Sequence, residues 1–113
     1  MCRSLTSIII PSTVEHIGSL SFVYCISLSN ISCPAIYIGD YAFTYCAGLE
    51  SAAFTALDAD SVQHLITNYG IFENANIDLE TWEPYDKTIH ITCSDGEFDA
   101  VLYADGTIEF IDT

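Results

Sequence analysis

The chain has 113 residues, and 50% of them are hydrophobic, which suits one domain with a sizeable core. Its formal net charge is −14, with Arg3 and Lys87 as the only strong bases. Such a balance excludes nucleic-acid binding and attraction to anionic membranes, because both depend on many lysines and arginines. No apolar run approaches the ~20 residues of a membrane span, so we expect no membrane insertion.

The first half of the chain repeats one pattern. Cys2 to Cys25 reads CRSLTSIIIPSTVEHIGSLSFVYC, and Cys25 to Cys46 reads CISLSNISCPAIYIGDYAFTYC. A third copy starts at Cys46 and fades after Phe54. This spacing is typical of leucine-rich coils, which stack because one coil is too small to bury its own apolar face.

Each copy predicts the same series of short elements. Apolar residues alternate ahead of Pro11 and Pro34, which predicts a short strand that the proline ends. A second extended piece follows, and residues 19–24 and 40–45 each have room for one helical turn. The aligned inward columns are Cys2, Cys25 and Cys46; Leu5, Leu28 and Leu49; Ile8, Ile31 and Ala52; and Ile10, Cys33 and Phe54.

These columns resemble the BspA-like leucine-rich repeats, whose pattern is close to Cys-x-Ser-Leu-Thr-Ser-Ile-x-Ile-Pro followed by Val-x-x-Ile-Gly-x-x-Ala-Phe-x-x-Cys. The resemblance covers residues 2–54, although the second copy is two residues short between Pro34 and Ile38. It implies an α/β fold: a short leucine-rich-repeat solenoid, with a parallel strand ladder and short helical turns.

Members of that family are typically bacterial or protist surface proteins that bind other proteins. The resemblance therefore implies a non-catalytic module with a protein partner. It implies a cell-surface or secreted protein if a leader lies upstream of Met1, and a cytoplasmic one if Met1 is the true start. Because the chain begins inside a repeat, we expect it to be either a fragment, the carboxy-terminal part of a longer protein, or a very short paralogue.

The composition changes near Thr55, since residues 55–113 carry thirteen of the sixteen acidic residues. We therefore interpret residues 1–113 as a single domain, with leucine-rich coils at 2–54 and an acidic carboxy-terminal cap at 55–113. A helix is predicted at about 58–69. The rival interpretation aligns Ile66 with Ile38 and treats the residues that follow as a decayed fourth coil. The two interpretations are compatible if the helix comes first and a coil remnant follows it.

The cap ends in a predicted antiparallel three-stranded β-meander, with strands at about 89–93, 98–103 and 107–111, around two Asp-Gly pairs. A two-residue first loop predicts the pairs Cys93 with Phe98, Ile91 with Ala100 and Ile89 with Leu102. A three-residue second loop, with Gly106 left-handed, predicts the pairs Leu102 with Ile108 and Ala100 with Phe110. One face is then wholly apolar, and we expect it to cover the last coil as a lid.

No catalytic or metal-binding pattern emerges from the sequence. His16, His64 and His90 fall on three separate elements, and the acidic runs 58–60 and 95–99 do not continue into a calcium loop, so we interpret them as a cap and a turn. Three of the five cysteines share one repeat column, which favours small buried thiols over disulfides. We predict no enzyme, no cofactor and no metal.

The candidate binding surface is the set of outward positions on the strand ladder, which are small and mostly polar. They are Ser7, Ile9, Asn30, Ser32, Ser51 and Ala53. An aromatic stripe of Tyr24, Tyr37, Tyr41 and Tyr45 is a further candidate, with half-buried packing as the favoured interpretation. The first strand is predicted to be an uncovered edge, so the alternative function is a homo-oligomeric structural subunit joined through that edge.

Overall fold

The computed structural model describes residues 6–112. Within that range the protein is a mixed α/β fold with a mostly parallel arrangement of strands and one helix. The elements are β1 (Ser7–Ile9), β2 (His16–Ile17), β3 (Asn30–Cys33), β4 (Tyr37–Ile38), β5 (Ser51–Phe54), α1 (Ala59–Asn68), β6 (Lys87–Cys93), β7 (Gly96–Leu102) and β8 (Ile108–Asp112). One sheet has the order β1-β3-β5-β6-β7-β8, and a second pairs β2 with β4.

Successive repeat copies lie beside one another in register. β1, β3 and β5 are parallel, with Ser7 opposite Asn30 and Asn30 opposite Ser51, and β2 pairs with β4 in the same way. The same position of each copy therefore faces its counterpart in the next. Leu28 and Leu49 are both fully buried, as that column predicts, whereas Leu5 lies outside the described residues.

The predicted helical turns are instead consecutive β-turns. The backbone N–H groups of Leu20, Phe22 and Tyr24 donate to carbonyl groups of the next copy at 3.2, 2.8 and 3.1 Å. Alternate N–H groups therefore point at the neighbouring coil, and the hydrogen-bond pattern of an α-helix cannot form. Leu20 and Tyr24 adopt positive φ angles of 60° and 59°, and Tyr41 and Tyr45 repeat them at 56° and 58°.

A further coil fragment follows the helix, so both interpretations of residues 56–77 apply in succession. The N–H groups of Tyr41, Phe43 and Tyr45 donate to the carbonyls of residues 69, 71 and 73, each at 2.9 Å. Gly70 and Asn74 take the positive φ angles, 57° and 59°, that Tyr41 and Tyr45 take one copy earlier. Gly70 therefore corresponds to Tyr41 of the preceding copy. The rival alignment matched Tyr69 to Tyr41, so it was displaced by one residue.

Helix α1 starts where its capping residue predicts. The Asp58 carboxylate accepts a hydrogen bond from the Ser61 backbone N–H at 2.8 Å, and the left-handed Gly70 follows the last turn. Val62 and Ile66 are buried on one face. The Asp95 carboxylate accepts from the Ala59 N–H at 2.9 Å, which ties the first hairpin loop to the helix.

The meander joins the coils by extending their sheet, a pairing that the lid prediction did not include. β6 pairs with β5 in parallel, with Ser51 opposite His90 and Phe54 opposite Cys93. β7 and β8 then continue the same sheet in antiparallel pairing. The open edge of β5 needs hydrogen-bond partners, and β6 supplies them. The apolar face of the meander therefore continues the inner face of the coils.

The first hairpin has a different register from the one predicted. Ile91 lies opposite Phe98 and Cys93 opposite Gly96, so the loop is Ser94-Asp95 and the predicted pairs are wrong by two residues. A shift of two leaves every side chain on its face, which is why the apolar pattern does not reveal it. In the second hairpin Leu102 does lie opposite Ile108, and Gly106 has the positive φ expected there, 91°.

The core is one cluster of buried side chains from Ile10 to Leu102. At its centre, the Phe43 ring lies 6.5 Å from Phe54 and 6.1 Å from Phe72. Burial raises the pKa of the Cys93 thiol to about 11. The four described cysteines are all buried: Cys25, Cys33, Cys46 and Cys93.

Lys87 joins the first residue of β6 to two coils. Its Nζ donates to the carbonyl of Ala47 at 2.7 Å and to that of Ala75 at 3.0 Å. Burial lowers the pKa of this amine to about 8. The side chain thus bonds inside the fold, and does not offer its charge to a ligand.

Gly39 and Gly18 hold the same repeat position and provide a test of coil stacking. A Cβ on Gly39 would lie 2.8 Å from the Gly18 carbonyl carbon of the preceding coil, whereas a Cβ on Gly18 would meet only the Ser21 Oγ, at 3.3 Å. Because backbone cannot yield as a side chain can, we expect Gly39→Ala to reduce the free energy of unfolding by about 1–3 kcal/mol. Gly18→Ala should change it by about 0.5 kcal/mol or less. Urea denaturation measures both, and equal effects would contradict the stacked arrangement.

Candidate interaction surface

The six predicted binding residues all lie on one face of the six-stranded sheet, which we call the outer face. They form two rows across the strands: Ser7, Asn30 and Ser51, and then Ile9, Ser32 and Ala53. β6 adds a fourth residue to each row, because His90 lies opposite Ser51 and Thr92 opposite Ala53. The rows therefore cross the boundary between the repeats and the meander.

Small polar groups link neighbouring strands along the first row. The Ser51 hydroxyl donates to the Asn30 side-chain oxygen, and Asn30 Nδ2 donates to Ser29 Oγ at 3.2 Å. The Ser29 hydroxyl in turn donates to the Thr6 carbonyl at 3.1 Å. Ile9, 82% exposed, is the large apolar side chain of the second row and lies on the terminal strand.

The meander end of the outer face carries a histidine held between two carboxylates. His90 Nδ1 lies 2.8 Å from Asp99 Oδ1, and His90 Nε2 lies 3.0 Å from Glu97 Oε1. Thr92 Oγ1 donates to the same Glu97 oxygen at 3.4 Å. The hydrogen bond to Asp99, and then that to Glu97, raise the pKa of His90 above its ordinary value.

The remaining titratable residues singled out in the sequence are dispersed. His16 stacks on Tyr37 with ring centroids 4.7 Å apart, and His64 Nδ1 lies 2.9 Å from Asn68 Nδ2. His90 is half-exposed on the outer face and Cys93 is buried on the inner one. Within residues 6–112 no group of three His, Cys, Asp or Glu side chains is placed to hold a metal ion.

Only two of the four tyrosines proposed as an aromatic stripe stack on each other. The rings of Tyr24 and Tyr45 have centroids 4.6 Å apart and planes 10° apart. Trp82 and Tyr45 form an edge-to-face pair with ring centroids 6.4 Å apart. Tyr37 stacks on His16 instead, while the Tyr41 ring lies against Gly70. From here on, the name aromatic stripe is restricted to the group of rings that contact one another, which is Tyr24, Tyr45 and Trp82.

His90 and Thr92 are surface residues that the sequence reasoning missed, although a signal for them exists. Residues 90–93 read His-Ile-Thr-Cys, and residues 30–33 read Asn-Ile-Ser-Cys. The two segments share the same alternation of polar and apolar side chains and the same final cysteine. That likeness marks β6 as a strand of the ladder despite the long insertion before it.

Stacked copies, an in-register parallel ladder and repeated turns define the class of leucine-rich-type repeat proteins. The chain belongs to the BspA-type leucine-rich repeat family: the family model described as "BspA type Leucine rich repeat region (6 copies)" matches residues 1–82. The match extends past residue 54, to which the sequence resemblance was limited, and includes the coil fragment at 69–75. No curated protein and no solved structure matches the chain. In the described part of the chain, no helix combines the length and apolarity needed to cross a bilayer.

The titration of His90 tests the geometry of the outer face. We expect its NMR-monitored midpoint to lie above about 6.5, the value for an unperturbed histidine. Because the folded pKa is raised, the stabilisation is complete below the unfolded pKa and is lost as the pH rises through the folded one. Asp99→Asn should lower the midpoint, while Asp40→Asn, at an exposed site elsewhere, should not. Equal midpoints in the wild type and Asp99→Asn would contradict the arrangement.

Proposed function

We propose that this protein is a non-catalytic protein–protein interaction module and that the outer face is its binding surface. Leucine-rich repeat families generally mediate protein interactions, which supports the first part. The observation that carries the second part is the pair of in-register rows of mostly small side chains that run across β1, β3, β5 and β6, with Ile9 and His90 as the larger members.

The chemistry of these rows suits an extended polar partner surface. Neighbouring strands lie about 4.8 Å apart, so four strands present a strip of about 14 Å. Large side chains stand only at its two ends, Ile9 on β1 and His90 on β6. Hydroxyl, amide and imidazole groups line the first row and offer both donors and acceptors. The net charge of −14 favours a neutral or basic partner.

We further propose that residues 1–113 form a single domain, a short solenoid closed at one side by its acidic carboxy-terminal part. The continuous cluster of buried side chains from both halves supports one domain. We also propose that the module is the carboxy-terminal part of a surface or secreted repeat protein, on the strength of its family alone.

The second candidate function is a structural subunit that assembles through β1. This strand ends the sheet, and Ile9 on it is 82% exposed. The opposite end, β8, carries Glu109 and Asp112, and charges on an edge strand discourage pairing. An assembly of this kind therefore favours pairing of β1 with β1 of a second copy.

The binding proposal is tested with peptides selected from a random library against the wild-type chain. We expect the double variant Ser32→Arg and Ala53→Arg to weaken the selected peptides at least ten-fold, because the arginines obstruct the middle of the strip. Ser19→Arg with Thr55→Arg adds the same charge away from it and should leave affinity unchanged. Peptides that bind both double variants as tightly as the wild type would locate binding elsewhere.

The assembly proposal is tested by light scattering over a wide range of concentration. We expect the wild-type chain to form dimers as concentration rises and Ile9→Lys to remain monomeric, because a lysine at an open edge opposes strand pairing. Ile111→Lys places the same change on β8 and should still dimerise. A wild-type mass that stays monomeric at every concentration would eliminate this function.

A further inference from the structure

The aromatic stripe is a second exposed surface, built by two coil turns and the loop that carries Trp82, and not by the sheet. Tyr24 and Tyr45 are half-buried and stack face to face, whereas Trp82, the only tryptophan in the chain, is 60% exposed. An indole that merely completed the core would be covered. This one forms an edge-to-face pair with Tyr45 and leaves most of its surface open to a partner.

The loop that carries Trp82 holds it in place at a conformational cost. Trp82 adopts a φ of 60°, which for a residue other than glycine costs about 1–2 kcal/mol. The backbone N–H of Trp82 donates to the Asp78 carbonyl at 2.6 Å, and the backbone N–H of Asp78 donates to the Glu83 carbonyl at 2.9 Å. Ile77 and Pro84 form a bridge at the base of the loop. The indole is therefore presented by a closed, hydrogen-bonded turn.

The surroundings of the stripe are strongly acidic. Residues 73–86 contain five carboxylates, all on exposed residues, and no lysine or arginine. Lys87 follows directly, but its Nζ bonds to two backbone carbonyls inside the fold. Glu73 Oε2 and the Tyr41 ring both lie within 3.4 Å of the Cβ position of Gly70, so a carboxylate and an exposed aromatic ring lie side by side.

An apolar groove of about 380 Å³ adjoins the same loop. It is lined by Ile26, Ala47, Gly48, Ile77, Asp78, Leu79 and Tyr85. Asp78 is its only charged lining residue. Such a groove accommodates the aliphatic stem of a long basic side chain, with a carboxylate for the charged end.

We propose that the aromatic stripe and the adjoining groove bind a lysine- and arginine-rich segment of a partner protein. Guanidinium and ammonium groups are attracted to the faces of Trp and Tyr, and more strongly where water is partly excluded. Carboxylates around the rings add charge-assisted hydrogen bonds, which arginine forms in bidentate geometry. This surface uses no residue of the outer face, so it is independent of the binding strip proposed above.

The test titrates the full chain with an acetylated and amidated nonapeptide in which arginine, lysine and glycine alternate. Binding is followed by calorimetry and by the fluorescence of Trp82, which reports directly on the site. We expect saturable binding with a change in tryptophan emission. Trp82→Ala should weaken binding at least ten-fold, and Glu80→Gln with Glu83→Gln should weaken it and flatten its dependence on salt.

Control variants separate this site from its alternatives. Trp82→Phe retains an aromatic ring and should keep most of the affinity, so it distinguishes loss of the site from loss of the fold if Trp82→Ala unfolds. Ile111→Ala removes an exposed apolar side chain on β8 and should leave binding unchanged. The double variant Ser32→Arg and Ala53→Arg should also bind the peptide normally, whatever it does to outer-face ligands.

Three results would overturn the proposal. The first is absence of saturable binding to the wild-type chain. The second is equal affinity of the wild type, Trp82→Ala and Trp82→Phe, which would reduce the effect to attraction by the net charge. The third is full displacement of the peptide by spermine at equal total amine-and-guanidinium charge, since a flexible polyamine supplies positive charge without the side-chain shapes that the groove accommodates.

Discussion

Backbone hydrogen bonds between successive coils are the constraint on which the rest of the structure depends. In the described residues, backbone N–H groups of one coil donate to carbonyls of its neighbours, both along the strands and around the turns, as from Phe22 to Ala42 and from Phe43 to Ile71. Because these bonds recur at the same positions of each copy, like residues are forced to stack on like residues. The buried columns, the stacked rings and the left-handed tyrosines are consequences of that single repeated geometry.

The repeat made much of the first half predictable. A column that is apolar in two copies has to face the same way in both, so the burial of Leu28 and Leu49 could be read from alignment alone. The conformation of the turns could not be predicted in this way, because a helical turn and two successive β-turns use the same residues and differ only in where the N–H groups point. That choice is made by the neighbouring coil, which local sequence does not describe.

The second half was less predictable because its decisive contacts are distant in the chain. Alternation of side chains marked β6 as a strand, but its parallel partner β5 lies beyond the helix and the loop that separate them. The positions of the outer face were predictable within the repeats, since parity alone assigns Ser32 and Ala53 to it. The extension to His90 is indicated only by the likeness of residues 90–93 to residues 30–33, which a long insertion separates, and the exposure of Trp82 depends on the path of an irregular loop.

The switch from parallel to antiparallel pairing at β6 has a consequence for how such a chain can change in size. A coil inserted or deleted ahead of β5 meets identical hydrogen-bond partners on both sides, so the array can lengthen or shorten there without disturbing the helix or the hairpins. Beyond β6 the chain reverses direction, and β7 occupies the edge of β6 with which the strand of another coil would pair. The hairpin therefore ends the array of coils on its side, and the geometry accepts a duplicated coil only ahead of β5.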